Sequence, residues 1–409
     1  MSDVETITHA LRRLRAEQIP YLVATVVRVN GSSYRRPGAR MIIGEDGTVV
    51  GGISAGCLEA ALLRTAWWRT QSSDAVLVKY DSTSDDDEAG WGSGFGCNGV
   101  VEVLLEREHP ASDAALDFIA GTVARQKRGC LLTVFRSSVP DVPVGSRATV
   151  TADGAVSFYG RLGWGGFVGT DELAAARRVI ESGNARTLVL STSDGGIEVL
   201  AEPVIPPPRL FVCGEGPDAV PLARYAHDLG WGVVIWASQQ RWLSRERFHG
   251  LGDLATGSMK DLRDAVDASA RPACLILSHH YERDRELLDA LLVSKTNYIG
   301  VLGPRARALR LLMEAGAQRN AAEVRGRVHA PGFDVGAETP QEIALAVMAE
   351  IQSILCGYAA KPASLGRLGS GVYERLAPLD HQLRIATSDT WNAQATQADT
   401  SSSAAAHTR

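Results

Sequence analysis

The sequence predicts an α/β protein of two domains: a mixed α/β N-terminal domain, then a domain built on a parallel sheet. Three observations carry this expectation. Strand-like apolar runs alternate with helical ones along most of the chain, the pattern of layered α/β architectures. A cluster of Pro203, Pro206, Pro207 and Pro208 interrupts the alternation near the middle, and such a stretch opposes both helix and central strand. Beyond it, strand, glycine turn, helix and strand follow one another within about thirty residues, the length of one βαβ unit. The expected boundaries are residues 1–202 for the first domain, 203–208 for the linker, 209–356 for the second domain and 357–409 for a polar tail expected to be disordered.

Each element has a local reason. Val4, Ile7, Leu11 and Leu14 recur at helical spacing, and Pro20 ends that pattern. YLVATVVRV reads as a strand that Asn30-Gly31 breaks, and ARMIIGEDGTVVGG reads as a hairpin turning at Glu45-Asp46-Gly47. Ser54-Ala55-Gly56 then precede a helix from Cys57 to Thr70. Cys57 falls in its first turn, where unpaired N–H groups and the helix dipole favour thiolate. Strands AVLVKY and VVEVLLE flank an acidic and then glycine-rich stretch, DSTSDDDEAGWGSGFGCNG. A helix over 112–127, strands CLLTVF and ATVTADG, the turn-rich RLGWGGFVG, the helix TDELAAARRVIES and strands TLVLST and GIEVLAEPV complete this half.

In the second half, Gly214-x-Gly216-x-x-Ala219 stands after a strand and before a helix, which makes the domain Rossmann-like. A ribose-binding acid is expected at the end of the next strand; Ala237 and Ser238 stand there instead, while Arg241 could pair with a 2′-phosphate, so NADP stays open. CLILSHHYERDRELLDALL puts His279, His280 and Asp284 at the carboxyl end of a strand, where open parallel sheets bind ligands. Capping or packing and catalysis are both open roles for that histidine. Gly303-Pro304 opens a helix with Arg305 in its first turn, a plausible phosphate site. Thr339 as N-cap, Pro340 at N1 and Glu342 at N3 start the last helix.

Composition narrows the function classes. With 45% hydrophobic and 22% charged residues the chain reads as ordinary globular protein, and a net charge of -5 gives nucleic acid or an anionic membrane no electrostatic support. The N-terminus lacks the apolar core of a signal peptide and no run reaches membrane-spanning length, so the cytoplasm is the expected compartment. Cysteines 57, 97, 130, 213, 274 and 356 form no CxxC pair, and zinc is not expected. Cys130, Cys213 and Cys274 sit in apolar runs as small buried hydrophobes.

The densest stretch runs from Asn30 to Glu59, with seven glycines, Arg35, Arg36, Arg40 and Cys57. Cys97 stands in similar surroundings, Gly94-Phe95-Gly96-Cys97-Asn98-Gly99. Forked guanidinium donors, close-approach backbone and a thiol suit an anionic, sulfur-seeking ligand. Two turn-rich hairpins are the plainer alternative.

GSSYRRPGARMIIGEDGTVVGGISAGCLEAAL, YDSTSDDD and GFGCNGVVEVLLE, with the SHHYERD and YIGVLG stretches of the second half, resemble the XdhC/CoxI family over roughly residues 10–356. These are accessory proteins that mature molybdenum hydroxylases such as xanthine dehydrogenase. The resemblance implies a chaperone more than a stand-alone enzyme: it binds molybdenum cofactor (molybdopterin), supports its sulfuration with a cysteine desulfurase, and inserts it into an apo molybdenum hydroxylase. It also suggests a homodimer. Arg35, Arg36, Arg40, Gly56 and Gly96 would hold the cofactor, Cys57 and Cys97 would do the sulfur chemistry, and Cys57 would meet molybdenum directly or indirectly. Gly214, Gly216, His279, Asp284 and Arg305 would serve a second-domain ligand. The chain departs from the family pattern at Ala55 and Ala237, where glycine and aspartate are usual, and in a shorter HAPGFD loop. Two other classes remain: an NADP-dependent oxidoreductase with His279 as acid-base beside Asp284, and a redox sensor pairing Cys57 with Cys97.

Overall fold

Helix α1 (Asp3–Ala16) turns Ile7, Leu11 and Leu14 inward and leads into strand β1 (Tyr21–Gly31). The coordinates are a computed structural model of the chain, describing residues 3–54, 56–71, 75–81, 99–107, 110–160, 162–192, 195–237, 246–316 and 326–357. Strands β2 (Arg40–Gly44) and β3 (Val49–Gly51) form the expected hairpin, with Gly47 at φ +85° and the Asp46 carboxylate accepting from the Thr48 N–H at 2.9 Å. Helix α2 (Cys57–Arg69) follows, then β4 (Ala75–Asp81) and β5 (Gly99–Arg107). The five strands make an antiparallel sheet in the order β3-β2-β1-β5-β4. Alternate residues of β1, Leu22, Ala24 and Val26, meet Leu58, Ala61, Leu62 and Ala66 of α2; Tyr21 and Val23 share a separate cluster with α1 residues. Burial on both faces explains why β1 reads as one continuous apolar run.

The same design then recurs. Helix α3 (Pro110–Ala124), strands β6 (Gly129–Ser137), β7 (Arg147–Thr151) and β8 (Val156–Tyr159), a 3-10 turn (Leu162–Phe167), helix α4 (Thr170–Ser182) and strands β9 (Arg186–Thr192) and β10 (Gly195–Val204) build a second antiparallel sheet, ordered β8-β7-β6-β10-β9. Element by element this is the topology of the first half. Strand β10 runs through Pro203 to Val204. Pro203 is tolerated because the β9 ladder stops at Ala201 opposite Arg186, so among the described residues no strand pairs with Pro203 on that side of β10.

Two buried ion pairs join the halves reciprocally. Arg40, at the start of β2, reaches Glu202 of β10 through two bonds of 2.6 Å, and its guanidinium also donates to the Gly38 carbonyl at 2.9 Å. Arg147, at the start of β7, reaches Glu106 of β5 at 2.7 and 2.5 Å and donates to the Gly145 carbonyl at 2.9 Å. Between these two bridges Arg28, Glu198, Arg136 and Glu102 alternate in a ring of charges, with Arg136 at 2.8 Å from each carboxylate, Arg28 at 3.5 Å from Glu102, and Arg28 also paired with Glu198.

Strands β11 (Arg209–Cys213), β12 (Gly232–Ala237), β13 (Asp253–Thr256), β14 (Pro272–Ile276), β15 (Ile299–Val301) and β16 (Val328–His329) form an all-parallel sheet in the order β13-β12-β11-β14-β15-β16. This is the doubly wound, Rossmann-like order, with its switch point between β11 and β14. Leu210 and Val212 face helices α5 (Ala219–Asp228) and α9 (Pro340–Leu355), while Phe211 and Cys213 face α6 (Met259–Asp267), α7 (Tyr281–Leu292) and α8 (Arg305–Gly316). Helix α9 starts on the expected box, Thr339 Oγ1 accepting from the Glu342 N–H and the Glu342 carboxylate accepting from the Thr339 N–H. Cys130, Cys213 and Cys274 are buried as expected.

Candidate functional site

The first sheet gathers several chain segments at one end. Gly31 of β1 pairs with Gly99 of β5, Asp81 of β4 with Val100, and Met41 of β2 with Gly51 of β3. The loop carrying Arg35 and Arg36, the turn into α2, and both ends of the β4–β5 connection therefore open from the same edge. Gly99 makes the closest of these approaches: a Cβ there would run into the carbonyl oxygen of Ser32, so only glycine lets β5 start against the arginine loop. Gly96 and Cys97, two of the expected site residues, lie outside the described residues.

Helix α2 begins at Cys57, behind Gly56 in the left-handed region at φ +118°. The turn before it is built on Glu59. One carboxylate oxygen accepts from the N–H groups of Ile53 (2.8 Å) and Ser54 (2.7 Å); the other accepts from the Gly56 N–H (3.0 Å) and the Ser54 hydroxyl. The Ser54 oxygen in turn accepts from Leu58 N–H at 3.1 Å. The Gly56 N–H thus already serves the protein's own carboxylate. Sequence reasoning missed Glu59, although a carboxylate three residues past an N-cap is the signal of a capping box.

Burial opposes the charge on Glu59, but the Ser54 hydroxyl and the surrounding N–H groups outweigh it and hold the pKa below its ordinary value. A lowered folded-state pKa means this stabilisation is full above the ordinary glutamate range and is lost as pH falls through the folded value. Glu59→Gln is accordingly expected to cost about 1 kcal/mol at neutral pH, the worth of a cap. Urea midpoints compared at neutral and acid pH check this: the gap between variant and wild type narrows as pH drops.

The three arginines are placed differently. Arg36 is exposed and Arg35 half-buried. Arg35 and Arg40 both line a cavity of about 150 Å³ beside Thr8 of α1 and Ile119 of α3. The fork of Arg40, which the sequence suggested for an outside anion, is filled by Glu202. What it does for the site is hold the carbonyl of Gly38, two residues past Arg36.

In the second domain a cavity of about 290 Å³ opens at the switch point, lined by Asp218, Leu222, His279, Gly303, Pro331 and Ile343. Gly214 (φ +153°) is required where it stands, since a Cβ would meet the Leu277 carbonyl of the neighbouring strand end; a Cβ at Gly216 would only touch the His279 ring, at 3.7 Å. His279 adopts a left-handed φ of +59°, unusual for a side-chain-bearing residue. Its Nε2 lies 3.4 Å from Asp218. The expected pairing of His279 with Asp284 is not what forms. Asp284 is fully buried, accepting from Arg307 at 2.5 Å, from the Ser278 N–H at 3.2 Å and from the Ser278 hydroxyl, so it fixes the loop rather than faces the cavity. Arg305 is exposed at the first residue of α8.

Glu215 and Asp218 bring two carboxylates to the loop where a dinucleotide would put its pyrophosphate, Pro217 removes one N–H, and β12 ends on Ala237 without an acid for ribose. Burial, against the pull of Arg283 and Arg247, raises the pKa of Glu215. Among the described residues no group of three or more His, Cys, Asp or Glu could hold a metal ion, and no helix is long and apolar enough to cross a membrane.

Fold and site together define a two-part α/β protein: tandem antiparallel modules with an arginine and cysteine-bearing edge, joined to a Rossmann domain. The family follows from comparison with known proteins. One family model, described as the XdhC Rossmann domain, matches residues 210–351, and another, the XdhC and CoxI family, matches residues 14–81. The chain belongs to the XdhC and CoxI family. It is 28% identical over 352 residues to a probable xanthine dehydrogenase subunit of Bacillus subtilis (strain 168), covering 86% of this chain and 97% of that protein. It is 33% identical over 149 residues to the uncharacterized protein YqeB of Escherichia coli (strain K12), covering 36% of this chain and 27% of that one. The crystal structure of a xanthine dehydrogenase from Bacillus halodurans superposes with a TM-score of 0.66 at 25% identity, over 89% of this chain and 98% of that one.

Proposed function

We propose that this chain carries molybdenum cofactor as cargo, supports its sulfuration, and hands it to an apo molybdenum hydroxylase of the xanthine dehydrogenase type. Family membership and the xanthine dehydrogenase relatives support a role in maturation of that enzyme. The observation that carries the finer reading is the shared edge of the first sheet, where the Arg35–Arg36 loop, the start of α2 at Cys57 and the Gly99 end of the Cys97 stretch emerge together. That donor set suits the cargo. Guanidinium groups match a terminal phosphate, and a thiol at a helix start suits sulfur or metal chemistry. The same reading has the chain act in the cytoplasm as a homodimer alongside a cysteine desulfurase.

Cys57→Ala, purified from a host that makes the cofactor, is expected to lose most of its bound molybdenum in elemental analysis while keeping the wild-type melting temperature. Retention at wild-type stoichiometry overturns the reading. No nucleotide is assigned to the second domain: its loop carries Glu215 and Asp218, and Arg241, the candidate partner of a 2′-phosphate, lies outside the described residues.

A further inference from the structure

The two halves of the N-terminal region agree beyond topology. Thr25-Val26-x-Arg28 of β1 is matched by Thr133-Val134-x-Arg136 of β6, and the pairing of Thr25 with Arg40 by that of Thr133 with Arg147. Gly38 bonds the backbone of Val26 as Gly145 bonds that of Val134. The turn Asp46-Gly47 recurs as Asp153-Gly154, and Gly99-x-x-Glu102-Val103-Leu104-x-Glu106 recurs as Gly195-x-x-Glu198-Val199-Leu200-x-Glu202. Even the helix start is repeated: Gly56 and Glu59 around α2 correspond to Gly169 and Glu172 around α4, with the Glu172 carboxylate accepting from the Gly169 N–H at 2.9 Å. Chance does not produce this many matched partners in one order.

What differs is the chemistry. Thr170 stands at the helix start where the first copy has Cys57, and β9 passes to β10 through residues 193–194 alone where the first copy has residues 82–98. The second copy also lacks the paired arginines of the first, reading Val142-Pro143 at the places of Arg35-Arg36.

We infer that residues 3–204 are one module in duplicate, that the second copy has lost the site and serves as the fused partner of the first, and that its Glu202 is a positioning residue for the Arg35–Arg36 loop. Glu202 acts through Arg40. The bidentate pair fixes the Arg40 guanidinium, which holds the Gly38 carbonyl, and Gly38 itself lies so close that a Cβ there would be 2.8 Å from the Glu202 carboxylate. The symmetry-related pair, Arg147 with Glu106, makes the same contacts to the loop of the copy without a site. It is therefore the matched comparison, differing in that Glu106 reaches Arg40 only through space while Glu202 bonds it directly. The positioning role rests on the cargo reading above; the pairing of the copies does not.

The test uses the full chain from a cofactor-producing host, with melting temperature and molybdenum per folded chain read together. Glu202→Gln and Glu106→Gln are expected to lower the melting temperature comparably, while at a temperature where both stay folded only Glu202→Gln loses molybdenum, at least fivefold. The exchanged pair Arg40→Glu with Glu202→Arg is expected to recover at least half the melting temperature lost by Arg40→Glu alone, yet not the molybdenum, because the Gly38 carbonyl has lost its donor. Equal molybdenum loss in the two glutamine variants, or none in either, overturns the positioning role. An exchange no more stable than the single variant overturns the pairing. A wild type without molybdenum overturns the cargo reading and the positioning role with it, and leaves the pairing to be decided by melting temperatures.

Discussion

Glu106→Gln is expected to remove about 3–5 kcal/mol of stability, the usual cost of stripping one partner from a buried ion pair. Glu106 is 0% exposed and Arg147 1%, so neither water nor salt can take over for the lost carboxylate. The guanidinium keeps its bond to the Gly145 carbonyl and loses the carboxylate that both of its terminal nitrogens meet. Chemical denaturation of the full chain measures the loss, and the double variant Glu106→Leu with Arg147→Met separates two explanations. If the cost is that of an orphaned charge, the double variant regains most of the stability, because replacing both partners by apolar groups is often near neutral. A double variant as weak as the single one would mean the pair itself supplies the stability.

The second large effect is expected at Asp284→Ala, at about 3 kcal/mol. This carboxylate takes the Arg307 guanidinium and both donors of Ser278, so its loss leaves a half-buried cation with the long bond to the Leu302 carbonyl (3.5 Å), takes the acceptor from the Ser278 N–H, and releases the loop that holds His279 in its left-handed conformation. Adding Arg307→Leu is expected to restore part of the melting temperature. A wild-type melting temperature in Asp284→Ala would show that water replaces the carboxylate without cost.

Much of this fold was legible in residue patterns because the elements are locally consistent. The continuous apolar runs of β1 and β11, the Asp46-Gly47 turn and the Thr339 box each point to one conformation, and the structure follows them. Tertiary choices were less visible. Asp284 sits at the ligand end of a strand, which suggests a site, yet only the three-dimensional course of α8 reveals that Arg307 claims it. Arg40 likewise looks free in sequence because its partner, Glu202, is 162 residues away. The duplication was readable in principle. Comparing Glu102-Val103-Leu104-x-Glu106 with Glu198-Val199-Leu200-x-Glu202 exposes it, whereas reading each strand alone does not.

The crossed ion pairs also bear on how the chain is made. Arg40 leaves the ribosome 162 residues ahead of Glu202, a delay of roughly 10–30 s at common elongation rates. During that interval Arg40 lacks its counter-ion, and the face of the first sheet with Val23, Val27 and Ile42 lacks the second half that covers it, so the nascent amino-terminal half should remain loosely folded and open to protease until translation has passed β10.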